Sequence, residues 1–136
     1  MRRMIGMGVA ALLLALGVPG PGRAQDAEFG GQLFASFCAA CHGADATGGG
    51  ELSAILALHP PDLTQLAAMN GGVFPTARVA RQIDGRDPEL VHGGVMPLFG
   101  TYFDFPDAAI PAEDGQPILT AAPIADLVAW LQAVQQ

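Results

Sequence analysis

Cys38-Ala39-Ala40-Cys41-His42 places two thiols three residues apart and an imidazole directly after the second. On a helix, positions i and i+3 share a face, so both sulfurs can reach the two vinyl groups on one porphyrin edge while the imidazole turns under the iron. The chemistry this spacing serves is covalent attachment of one haem c. Cys38 and Cys41 would form the thioethers and His42 would be the first axial ligand. These are the only cysteines in the chain. A structural zinc site wants four soft ligands, and beyond these three the sequence offers only His59 and His92. A thioredoxin-like redox pair would close a strand in a βαβ unit, whereas the residues before Cys38 read as helix. A disulfide across so short a loop would add little stability and leaves His42 unexplained.

The second axial ligand decides what such a site does. A thioether opposite the imidazole favours ferrous iron and bars oxygen or peroxide, which makes a carrier of electrons. Past residue 24 the chain holds two methionines, Met69 and Met96. Met69 lies late in a helical pattern among leucines, where methionine commonly fills core gaps. Met96 precedes Pro97, which favours extended backbone at Met96 and lets a loop present the sulfur. Met96 is therefore the expected ligand, with His92, His59, Met69 and an open site as alternatives. Haem carboxylates need donors. Of Arg78, Arg81 and Arg86, Arg86 is the expected one, because it leaves a helix through Asp84-Gly85. Tyr102, the only tyrosine, could donate to the same groups or simply pack.

The N-terminus has the plan of an export signal. Arg2 and Arg3 are followed by an apolar run from Ile5 to Val18, then Pro19-Gly20-Pro21-Gly22 and small residues ending at Ala24. The run is short and glycine-rich for a bilayer span, so cleavage before Gln25 is expected, with residues 1–24 as signal and 25–136 as one domain in a bacterial periplasm. Arg2, Arg3 and Arg23 leave with it, so the remainder carries 3 basic and 13 acidic side chains, net −10, and no lysine. Such a surface repels nucleic acid and anionic membranes and suits redox protein partners with a basic docking face.

The elements that must position these residues read as helices separated by loops, with no strand alternation. One helix is expected over residues 28–41, with Gly30, Phe34, Cys38 and Cys41 on one stripe. A short segment follows over 52–58, a helix opened by Asp62-Leu63-Thr64 runs to Met69, and another runs from Thr76 to Gly85 with Val79 and Ile83 inward. Residues 86–120 read as mostly irregular. The last helix starts at Thr120 or Pro123 and buries Ile124, Leu127, Val128 and Leu131. The fold class is all-α, about four short helices with long loops wrapped around a flat cofactor.

On these residues the chain resembles the class I cytochromes c, small monohaem proteins, over nearly its whole length past residue 24. Gly30 and Phe34 stand where that family's first helix is crossed by its last, and Leu127-Val128-Ala129-Trp130-Leu131 is similar to the last helix itself. Met96-Pro97 followed by Phe99 and Gly100 is similar to the segment carrying the family's sulfur ligand. Pro60-Pro61-Asp62-Leu63 is similar to the segment whose proline carbonyl accepts a hydrogen bond from the ligating imidazole, which would give Pro61 the task of fixing the His42 tautomer. The resemblance implies the cytochrome c fold and a carrier of one electron at a time on a His42/Met96-ligated haem, not an enzyme. Two rivals stand beside it. One is a haem subunit or module of a dehydrogenase or oxidase complex, docked through the apolar 101–118 stretch. The other is an open-site haem protein acting as a gas sensor or peroxidase.

Overall fold

In a computed structural model, residues 25–86 and 96–136 are described. The export signal over 1–24 and His92 lie outside them. Two helices from opposite ends of the chain form the centre. α1 (Ala27–Phe37) opens on Asp26, whose carboxylate accepts a hydrogen bond from the Phe29 amide at 3.0 Å. The Asp26 amide in turn donates to Oδ1 of Asp126, 100 residues away, at 2.7 Å. Asp126 belongs to the last helix, which starts on a proline in its first turn. The two helices touch where α1 has no side chain. A Cβ at Gly30 would run into the Asp126 carbonyl, and one at Gly31 would stand 2.9 Å from the Trp130 ring. Close approach of two backbones requires glycine there. Phe34 fills the space beside the crossing, its ring centroid 4.3 Å from that of Trp130.

The expected helix over 28–41 is broken at Cys38, and a separate turn α2 (Ala39–His42) carries the rest of the motif. The expected helix over 62–69 is instead two 3₁₀ turns, Leu63–Gln65 and Ala68–Asn70, and the 52–58 segment is a single 3₁₀ turn, Ser53–Ile55. The expected helix from Thr76 is present as α3 (Thr76–Asp84), and Gly85 closes it at φ 70°. Its inward stripe holds Val79, Ala80 and Ile83, all buried.

The stretch read as irregular contains more order than expected. A short helix α4 (Phe99–Tyr102) follows Met96, and a hairpin pairs β1 (Ala108–Pro111) antiparallel with β2 (Pro117–Thr120), Ile110 opposite Ile118. Proline at the ends of both strands hides the pattern, since proline is tolerated only where no ladder donor is needed. The hairpin buries Ile110 against the start of α5 (Ala122–Ala133), and the Asp107 carboxylate accepts from the Ala122 amide at 2.7 Å. Among the described residues the fold is helical with one small sheet, so all-α holds for the helical frame and not for the 108–120 hairpin.

Candidate functional site

α2 sets two of its residues, Cys41 and His42, at the edge of a cavity of about 640 Å³. The loop after it locks the turn in place. Gly50 donates to the Cys41 carbonyl at 3.2 Å, Leu52 to Ala40 at 2.9 Å, and Gly48 to His42 at 2.8 Å. The opposite walls come from α3 through Val79 and Ile83, from the 3₁₀ segment through Leu66, and from α5 through Leu131. These are apolar, close-packed elements that keep water from one side of the space. Exposed Leu58 and Met69 stand on its outer lip.

The cavity brings His42 together with Met96, and also with Met69 and His59. Three of the sequence candidates for a second ligand thus face one space. His42 is half-buried, and burial pushes its imidazole below its ordinary proton affinity, so it is neutral at neutral pH and offers a lone pair. Its Nδ1 is buried without a hydrogen-bond partner, so the ring is not consumed in the protein's own bonding. Cys38 and Cys41 are not joined in a disulfide. Burial, aided by the neighbouring Cys41, pushes the Cys38 thiol up to about 11. Among the described residues no three of His, Cys, Asp or Glu gather as a metal cluster would require.

A macrocycle tethered through two thiols and ligated by a neutral imidazole fits this donor set: an apolar slot, one unengaged histidine at its edge, and soft sulfur within it.

In this structure Pro61 and Arg86 make other contacts. The Pro61 carbonyl does not bond to His42; both Pro60 and Pro61 carbonyls stand against Gly48, where a Cβ would meet them. Pro61 therefore serves as cavity wall. Arg86 does not line the cavity. Its Nε donates to Asp84 Oδ1 at 2.8 Å and its Nη2 to Oδ2 at 2.6 Å, a two-pronged pair beyond the end of α3. Among the described residues the cation on the cavity lining is Arg78, with Gln82 one turn along. Helical spacing held that signal: Arg78 and Gln82 are i and i+4 and flank Val79 and Ile83, whereas Arg86 lies past the capping glycine. Tyr102 lies in a cluster of rings outside the cavity lining, 5.5 Å from Phe37 and 5.0 Å from Phe103.

A sequence model of the family described as Cytochrome c matches residues 27–135. Among curated proteins no match is found.

Proposed function

The chain belongs to the cytochrome c family, a family of haem proteins that transfer electrons, and on that premise we propose that it is an exported carrier with one haem c attached at Cys38 and Cys41 and ligated by His42 and Met96. When bound, the haem supplies a one-electron couple. The chain's own residues do the rest. The neutral His42 imidazole would bind the iron of the group, and Met96 would offer it a thioether, a ligand that favours the reduced metal. Leu66, Val79, Ile83 and Leu131 exclude water from the pocket, which keeps the rearrangement on gaining or losing an electron small. Arg78 offers a guanidinium to the carboxylates of the group. The electron-transfer role general to the family favours the carrier reading over an enzymatic one.

The observation that carries this reading is that His42 and Met96 line one apolar cavity beside Cys41. The test is an absorption spectrum of the purified protein, ferric and ferrous, repeated under carbon monoxide. A weak red sulfur-to-iron band with no response to carbon monoxide is expected. Absence of the band with prompt carbon monoxide binding would replace the carrier with an open-site sensor or peroxidase.

Export to a periplasm is supported by the Arg2-Arg3 start and the apolar run to Val18. Among the described residues no helix is long and apolar enough to cross a membrane. Partners are expected to be redox proteins with a basic face, since residues 25–136 carry net −10. A second reading, a haem subunit held in a dehydrogenase or oxidase assembly, is favoured by exposed aromatics: Phe37 is 40% exposed, Tyr102 66% and Phe105 77%. Size exclusion of native extracts separates the two.

A further inference from the structure

The Asp84–Arg86 pair removed from the cavity has a second contact, and it is with the segment that carries Met96. α3 ends at Asp84, Gly85 turns the chain in the left-handed conformation, and Arg86 folds back so that its amide and guanidinium both bond the Asp84 carboxylate. Gly100, in α4, lies directly on this fork. A Cβ there would stand 2.5 Å from the Asp84 carboxyl carbon and 2.6 Å from Arg86 Nε. Two residues earlier the same segment packs on the capping glycine: a Cβ at Gly85 would meet the Leu98 side chain at 2.7 Å and its Cα at 3.3 Å. Leu98 and Gly100 are two and four residues beyond Met96.

We infer that Asp84, Arg86 and Gly100 form a clasp that positions Met96, an inference resting on Met96 being the sulfur ligand. A thioether is a weak ligand on a flexible side chain, so its hold on a metal depends on how firmly its backbone is presented. Here the presenting backbone is seated by two close contacts made at glycines, one on each side of the crossing, and at Gly85 the left-handed backbone (φ 70°) favours glycine as well. The fork is planar and two-pronged, so it gives the carboxylate one orientation, and that flat group is the surface on which Gly100 rests. Lysine in place of Arg86 would keep the charge but lose the plane. The pair is partly exposed, and its direct contribution to stability is small. What it sets is geometry, four residues from the sulfur.

The test uses the haem-loaded protein and the variants Gly100→Ala, Asp84→Asn and Arg86→Lys, with Met96→Ala as reference. Helical circular dichroism and haem content check folding, and Asp84→Asn, a partly exposed site without added bulk, carries the test if Gly100→Ala does not fold. The readouts are the red sulfur-to-iron band, the denaturant concentration at which it disappears, and the rate of carbon monoxide binding to the reduced form. The expected result is that Gly100→Ala and Asp84→Asn lose the band at lower denaturant and bind carbon monoxide about tenfold faster, approaching Met96→Ala, with Arg86→Lys between them and the parent. A band in the parent that both variants retain to the same midpoint, with carbon monoxide rates unchanged, would overturn the clasp and leave Met96 ligation standing. A parent without the band would overturn both.

Discussion

Gln135 takes the hydrogen bond that an α-helix would have closed at Leu63. Its Nε2 donates to the Leu63 carbonyl at 2.8 Å, and its Oε1 accepts from the Ala67 amide at 2.9 Å. Those are the two backbone groups that i to i+4 pairing would have joined directly. The same Nε2 donates to Leu131 at 2.7 Å, and the Gln136 amide donates to Thr64 at 3.0 Å. The end of the chain is thereby threaded into the cavity wall that carries Leu66.

Gln135→Ala should leave three backbone groups without their partner and cost about 1–3 kcal/mol. The thermal midpoint of the haem-loaded protein reads this. An unchanged midpoint would mean that water or a re-formed helical turn takes over the Leu63 and Ala67 groups.

Arg78 lines the cavity, so its removal takes a positive charge from beside the proposed haem. Arg78→Gln should lower the reduction potential by an amount on the order of 1 kcal/mol, tens of millivolts, with the shift shrinking at high salt. Spectroelectrochemical titration at two ionic strengths checks both the sign and the screening.

Asp84 carries the pH dependence of its pair. The hydrogen bond from the Arg86 guanidinium holds its carboxyl below the ordinary value of 3.8. A depressed folded-state value means that the stabilisation is complete above the unfolded value and is lost as pH falls through the folded one. The stability difference between the parent and Asp84→Asn should therefore be constant from about pH 7 to 5 and shrink as pH falls below about 4 toward the depressed folded-state value. Chemical denaturation across that range measures it; a difference that grows toward low pH would contradict the assignment.

The haem-free Cys38→Ala/Cys41→Ala chain should be largely unfolded, because a cavity of about 640 Å³ sits where its interior should be. Far-ultraviolet circular dichroism should show no cooperative thermal transition. A sharp transition would show that α1 and α5 sustain the fold without the cofactor.

The helices that bury a periodic stripe were legible in the sequence: α1, α3 and α5 lie where Gly30 with Phe34, Val79 with Ile83, and Ile124 with Leu131 place them. What escaped depends on partners distant along the chain. Residues 62–69 carry helical spacing, but Gln135 competes for their backbone groups. The hairpin escaped because prolines punctuate strands of four residues each. At the candidate site, the motif pointed to Cys38, Cys41 and His42, and the structure sets Cys41 and His42 on the cavity lining. The choice among three arginines turned on which side of Gly85 each falls, and the glycine was read as the end of a helix without being used to divide Arg78 from Arg86.

The Asp26–Asp126 bond, spanning 100 residues, also fixes an order of events. Contacts between the first and last helices require closure of nearly the whole domain, a late and slow step for a chain of this length. Until that closure, Cys38 and Cys41 lie on backbone that α5 does not yet cover. The thiols proposed to hold the haem are therefore most accessible before α5 docks on α1, whose crossing closes the structure around them.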